Sequence, residues 1–161
     1  MITAEVTISG EVFSADIEKA IIQAVDETIA LAHKDFKDTI KTFSARSQFD
    51  FEVKRAVRRG DTIEGGVGTD NLNYTRLNNG VPAHQVGKGG KYMSFRPVYT
   101  PKTSRGVISS RSGGTSGRRQ RAKGPWTHPG FPAGQFDMAI RNKRIKDLGD
   151  KVNKAIALST K

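Results

Sequence analysis

Residues 14–43, SADIEKAIIQAVDETIALAHKDFKDTIKTF, decide how this chain folds. Apolar side chains recur there at steps of three and four residues, which is the period of one helix face. Ser14 is suited to be the N-cap, and Asp16 and Glu18 in the first turn complement the helix dipole. The pattern predicts one long amphipathic helix. Its apolar stripe is Ile17, Ala20, Ile21, Ala24, Val25, Thr28, Ala32, Phe36, Ile40 and Phe43, and its polar face carries Lys19, Asp26, His33, Lys34, Lys37 and Lys41.

Short strands are predicted on both sides of this helix. Residues 2–9 alternate apolar and polar side chains up to the break at Gly10. After the helix, residues 49–54 and 62–67 are two β-like runs, and the turn at residues 59–61 between them predicts a hairpin. Residues 71–79 predict one or two helical turns closed by Gly80, where a helix end favours glycine. Residues 92–98 predict a further strand.

A second helix is predicted to begin within residues 133–136 and to run to the end of the chain. Gly149 weakens its middle. The order β, long α, a group of β, then α predicts an α+β fold with the two helices packed on a small, mainly antiparallel sheet. A length of 161 residues predicts a single domain, residues 1–161. The apolar side of the second helix is Phe136, Ile140, Ile145, Leu148, Val152 and Ile156.

The positive charge is concentrated in the middle of the chain. The net charge is +11, and no acidic residue lies between Asp70 and Asp137. Within that span, residues 100–124 are rich in Gly, Ser, Arg and Lys and have few large aliphatic side chains. Such a segment buries too little to offset its ordering entropy, so we expect an extended flexible basic loop within the domain. The basic residues of the acid-free span are Arg76, Lys88, Lys91, Arg96, Lys102, Arg105, Arg111, Arg118, Arg119, Arg121 and Lys123.

The basic loop is the predicted partner- or DNA-contacting segment. Its cationic side chains can bind carboxylates or phosphates, and Tyr99 and Trp126 flank it. Because no recognised nucleic-acid-binding module accompanies the charge, we favour an acidic protein surface as the partner, with DNA as the alternative. The contacting residues are expected to be Arg105, Arg111, Arg118, Arg119, Arg121 and Lys123.

Motifs for catalysis are not found in the sequence. There is no cysteine, the three histidines lack metal-ligand spacing, and neither a phosphate-binding glycine loop nor GxSxG occurs. We therefore expect no enzymatic activity, no catalytic residue, no metal and no cofactor. A phosphoryl-transfer enzyme that uses His84 or His128 is a weaker alternative. No secretory signal and no membrane-spanning run is evident, which predicts a cytoplasm-like compartment.

Four short segments occur in an order that resembles a known family. They are NYTRLNNG at residues 73–80, Ala83 with His84, residues 91–95, and WTHPG at residues 126–130 followed by Phe136. This order resembles the head–tail joining, or neck and tail-completion, proteins of tailed bacteriophages over about residues 14–158. Similar proteins tend to have an acidic residue where this chain has Asn79. The family-like structural motif is Tyr74, Gly80, His84, Trp126, His128, Pro129, Gly130 and Phe136.

The resemblance implies a structural virion protein of the phage neck. Such a protein would join the head to the tail as a subunit of an oligomeric ring, with other copies of itself, portal or adaptor proteins and tail proteins as partners. It would assemble in the host cytoplasm, need no cofactor and contact no membrane. The basic loop would meet either DNA in the channel or an acidic protein surface. The alternative function is that of a standalone basic nucleic-acid-binding protein.

Overall fold

The fold is described from a computed structural model, which covers residues 2–7, 14–41, 49–87, 89, 92–95, 98–100, 114–116, 118, 120–128, 130 and 132–159. The predicted α+β class, with an N-terminal and a C-terminal helix and a small antiparallel sheet, is confirmed. The elements in chain order are β1 (Ile2–Thr7), α1 (Ala15–Ile40), β2 (Glu52–Arg59), β3 (Thr62–Gly68), α2 (Leu72–Asn79), β4 (His84–Val86), β5 (Tyr92–Phe95), β6 (Val98–Thr100), β7 (Gly114–Ser116), β8 (Gln120–Lys123), β9 (Trp126–His128) and α3 (Phe136–Ser159).

The central sheet is antiparallel, has three strands and has the order β1-β3-β2. Strands β2 and β3 form the predicted hairpin, and Gly60 occupies its turn with φ 60°. A bulge interrupts β2 between Lys54 and Val57. There the carboxylate of Asp26 on α1 accepts a hydrogen bond from the Ala56 N–H at 2.7 Å. Asp26, predicted on the polar face of α1, therefore ties that helix to the edge of the sheet.

Helix α1 carries the core on the predicted face. Its N-cap is Ser14, whose side chain accepts a hydrogen bond from the Ile17 N–H at 3.4 Å. Side chains from α1 pack between the sheet and α3, with Phe36 and Val25 fully buried against Ile63, Val67 and Ile140. Ile29, which the predicted stripe omitted, is buried as well, and Phe43 lies outside the described residues.

A buried ion pair joins α1 to α3. Asp35 is only 6% exposed, and its Oδ2 accepts from the Nε of Arg144 at 2.7 Å. Its Oδ1 accepts from Lys143 at 3.2 Å, while Arg144 also donates to Asp147 at 2.5 Å. The Asp35 carboxylate thus has cationic donors on both oxygens, as a buried charge requires.

Two expectations are corrected by the structure. Ile145, predicted on the buried side of α3, is 62% exposed, because Lys143 and Arg144 turn towards Asp35 and leave the next residue facing outwards. The stretch 100–124, predicted to be a loop, contains strands β7 and β8, because its backbone pairs with residues 92–100 although it has few apolar side chains. Residues 101–113 lie outside the described part of the chain.

Asp35→Ala should lower the free energy of unfolding by about 1.5–3 kcal/mol, because it removes the charged hydrogen bond between α1 and the mostly buried Arg144, which keeps its bond to Asp147. The matched control is Glu27→Ala, which removes an exposed α1–α3 pair between Glu27 and Lys151. Exposed pairs contribute little, so the control should lower the free energy of unfolding far less. Urea denaturation followed by circular dichroism measures both values. Equal losses would contradict the role given to burial.

Candidate functional site

Tyr74, in the middle of α2, joins the aromatic part of the core to the start of α3. Its ring lies 5.4 Å from that of Phe51 and 5.8 Å from that of Phe36, in edge-to-face contacts. Its hydroxyl donates to Asp137 Oδ1 at 2.6 Å. Burial, together with the hydrogen bond to Asp137, holds the pKa of Tyr74 well above its usual range. Tyr74 is therefore a neutral hydrogen-bond donor and not a proton carrier near neutral pH.

The end of α2 is bonded to the chain that leads into α3. The N–H of Gly134 donates to Leu77 O at 3.0 Å, and that of Gln135 donates to Asn78 O at 2.9 Å. The side chain of Asn78 also accepts from the Asp137 N–H at 3.1 Å, which caps the first turn of α3. We call Tyr74, Leu77, Asn78, Gly134, Gln135 and Asp137 the α2–α3 junction.

Three residues of the family-like motif lie at or beside this junction. Gly80 ends α2 with φ 79°, as the sequence predicted for a glycine at that position. Phe136 is buried and begins α3 next to Asp137. A shallow cavity of about 160 Å³ opens beside the Tyr74 hydroxyl. Its lining is Phe36, Gly68, Thr69, Tyr74, Thr75, Asn78, Asn79 and Asp137.

The second half of the motif lies on a long β-hairpin. Strands β4 and β9, β5 and β8, and β6 and β7 pair antiparallel in nested order, so the first three strands of this region run against the last three. In the sequence, residues 87–91 lie between β4 and β5, and Gly124 and Pro125 lie between β8 and β9. There a side chain on Gly124 would collide with the backbone of Gly87, since its Cβ would lie 2.2 Å from Gly87 O. This hairpin, residues 84–128, is the basic hairpin of the molecule.

His84 and His128 face each other at the root of the basic hairpin. They are register partners in β4 and β9, and their rings stack with centroids 5.1 Å apart. His84 Nδ1 lies 2.9 Å from Pro82 O, so this nitrogen must carry the proton. His128 Nδ1 accepts from the Gly130 N–H at 3.0 Å. Each ring is thus fixed by a neighbouring backbone group.

Gly130 allows the chain to pass close to the start of the basic hairpin. Its φ is 77°, and a Cβ there would lie 2.1 Å from Val81 O. Glycine is consequently required in the WTHPG segment by backbone contact. Pro129 lies outside the described residues, and of Trp126 only the backbone is described.

Three of the basic residues predicted to contact a partner lie within the part of the basic hairpin that the structure describes. Arg118, Arg121 and Lys123 are all exposed. Arg121 and Lys123 belong to β8, where they are the register partners of Ser94 and Tyr92. Arg105, Arg111 and Arg119 lie outside the described residues.

No protein-family model, curated protein or solved structure matches the chain. Within the described residues, no group of three or more His, Cys, Asp or Glu side chains could hold a metal ion. None of the described helices is long and apolar enough to cross a membrane.

Sequence reasoning missed two residues that shape these sites. Asp137 binds Tyr74 across 63 positions of the chain, and no local pattern links the two residues. Tyr92 was assigned to a strand, but its exposure of 72% beside the cations of β8 follows only from the pairing of β5 with β8. A tyrosine directly after Lys91 in the acid-free basic span is the signal that could have identified it.

Tyr74→Phe should lower the free energy of unfolding near neutral pH by about 1.5–3 kcal/mol, the usual value of a hydrogen bond to a charged group. The raised pKa in the folded state gives this effect a pH dependence. The contribution of the neutral phenol is complete below the ordinary tyrosine pKa of about 10 and decreases as the pH rises above it, because only the unfolded chain then ionises.

Urea denaturation of both proteins at about pH 8 and about pH 11 measures this dependence, since these values lie on either side of the ordinary tyrosine pKa. The difference between the two proteins should shrink at the higher pH. If the difference in free energy of unfolding between the two proteins is the same at both pH values, the Tyr74 hydroxyl has the same protonation in the folded and the unfolded chain, which would contradict the prediction.

Proposed function

We propose that this chain is a structural subunit that works by assembling with other protein chains, and that it joins the head to the tail in the neck of a tailed bacteriophage. The observation that carries the proposal is the outward face of α3. Met138 is 56% exposed and Ile145 is 62% exposed, although both belong to a helix whose other side is already part of the core.

Two of the exposed apolar side chains on α3, Met138 and Ile145, lie on one line along the helix. Met138 and Ile145 are seven residues apart, and Val152 follows after seven more. Residues at this spacing lie on the same side of a helix and form the contact line of helix pairs. Val152 packs partly against the core, so Met138 and Ile145 are the exposed members of this line and Val152 is the partly buried one. A helix from another chain can lie along this line.

Burial of these side chains in an assembly gives a clear energetic gain. A fully buried isoleucine or methionine contributes about 1.5–3 kcal/mol relative to an exposed one. Single exposed apolar residues are common, but two large ones in register on one helix indicate a contact surface. Gly149, on the same side, has open space where a Cβ would stand, so the fold itself does not require a glycine there.

The basic hairpin also supports a role in assembly. Among the described residues, each of its strands makes most of its close contacts with its own pair partner rather than with the helices or the central sheet. Isolated two-stranded hairpins are marginally stable in water. A hairpin of this length gains stability when neighbouring molecules cover it. The place of the protein in the phage neck rests on the segment order NYTRLNNG, Ala83 with His84, residues 91–95 and WTHPG.

The second candidate function is that of a standalone nucleic-acid-binding protein, favoured by the exposure of Arg118, Arg121 and Lys123. The two functions differ in what holds the molecules together. Apolar contacts through α3 are insensitive to salt, whereas binding to phosphates weakens steeply as salt rises.

Ile145→Glu should abolish self-association of the purified protein, because it places a charge in the apolar contact line of α3. The matched control is Leu158→Glu, on the same helix and 64% exposed but turned away from that line. Both variants should keep the free energy of unfolding close to that of the parent protein, since neither side chain is buried. Light scattering at moderate salt over a range of protein concentrations measures association.

The proposal expects the parent protein and the Leu158→Glu control to form oligomers, with rings visible by electron microscopy. Ile145→Glu should remain a monomer. A parent protein that stays monomeric at every concentration, or two variants that behave alike, would contradict assembly through α3.

A further inference from the structure

The basic hairpin carries a cationic face that takes no part in the apolar contact along α3. We infer that this face, formed by Tyr92, Arg121 and Lys123, binds the phosphate backbone of duplex DNA without regard to sequence. The inference goes beyond the subunit role and does not depend on it, because the face lies on the hairpin and not on α3.

The pairing of β5 with β8 places the three side chains on one face. Arg121 and Lys123 are two residues apart in a strand, so they point to the same side. Tyr92 is the direct register partner of Lys123, and directly paired residues of neighbouring strands share a face. All three side chains are exposed, Tyr92 by 72%.

The spacing of the two cations suits a DNA strand. Residues two apart in an antiparallel strand are separated by about 6.8 Å. Neighbouring phosphates of one DNA strand are about 7 Å apart, given a rise of about 3.4 Å and about a tenth of a turn per step. Arg121 and Lys123 can therefore contact adjacent phosphates, and the Tyr92 hydroxyl can donate to a phosphate oxygen beside them.

The charge around this face favours a polyanion. No acidic residue lies between Asp70 and Asp137, so nothing in the hairpin sequence repels phosphate. A two-stranded ribbon is also one of the shapes that the major groove of B-DNA admits. The hairpin thus provides both the charge and the shape for a duplex.

The amino-acid composition of the face favours DNA over an acidic protein surface as its partner. Lysine is depleted at the centre of protein–protein interfaces, whereas DNA interfaces are more polar and much more positive. The exposed side chains of this face are Tyr92, Arg121 and Lys123, with no aliphatic residue among them. The face therefore fits DNA better than the acidic protein surface that the sequence favoured.

Fluorescence anisotropy with two unrelated DNA duplexes of equal length tests the inference between about 50 and 200 mM salt, where phosphate contacts show their salt dependence. Arg121→Gln combined with Lys123→Gln should weaken binding to both duplexes. It should also reduce the slope of log K against log salt by about two, since each phosphate contact contributes about 0.9. Circular dichroism confirms that each variant is folded.

Two variants serve as controls. Lys19→Gln with Lys34→Gln removes the same charge from exposed positions on α1 and should leave the slope unchanged. Arg121→Lys with Lys123→Arg keeps the charge on the hairpin and should keep the slope. An equal loss in the α1 control would overturn the inference, because binding would then follow total charge alone.

Two further outcomes would assign the face to another partner. If polyglutamate of matching charge binds as tightly as the duplex and loses binding in the same hairpin variant, the face recognises acidic protein. If single-stranded DNA binds more tightly, with Tyr92→Phe unchanged and Tyr92→Ala weakened, the face stacks on bases. Duplex binding predicts instead that Tyr92→Phe is weakened, because it lacks the hydroxyl.

The inference and the subunit proposal fail separately. Ile145→Glu should leave the salt slope per molecule unchanged, and the Arg121→Gln, Lys123→Gln variant should still associate through α3. A parent protein that assembles but does not bind DNA would contradict only the inference, and a parent protein that binds DNA but does not assemble would contradict only the proposed function.

Discussion

One helix has to cover a sheet of three strands and still present a side to a second helix, and α1 meets both demands. Its apolar face meets Ile63 and Val67 of the sheet, and it also contacts Ile140 of α3. Because α3 reaches the sheet mainly through α1, its orientation depends on that helix–helix contact. The Asp35–Arg144 pair also restricts how the two helices are oriented, because a buried carboxylate accepts hydrogen bonds in few geometries.

The same constraint explains why α3 has two apolar sides. Residues Lys143 and Arg144 turn inwards to satisfy Asp35, and this rotates Ile145 towards solvent. A helix that served only the core could carry a polar residue at that position at no cost. The interhelical ion pair therefore determines which side of α3 faces the body of the protein and which side faces outwards.

Much of the fold could be predicted because it depends on local patterns. The period of α1, its cap at Ser14, the turn at Gly60 and the end of α2 at Gly80 are each encoded within a few residues. Within the basic hairpin, the strand predicted at residues 92–98 contains β5, whereas β7 and β8 were missed because backbone pairing needs no apolar side chain, and residues 114–123 contain few. The predicted buried side of α3 was wrong for Ile145, because apolar periodicity alone does not show whether an apolar side chain is buried in the core or exposed.

The candidate sites depend on contacts between distant residues, which no spacing in the sequence shows. Tyr74 meets Asp137, and Tyr92 meets Lys123, only after the chain has folded. The concentration of positive charge in the middle of the chain, by contrast, could be predicted from the sequence. A hairpin with eleven basic residues in and around it, and no acidic one, gains no internal ion pairs. Like charges in one segment repel one another, and this repulsion decreases as dissolved salt screens the charges or as an anionic molecule comes close.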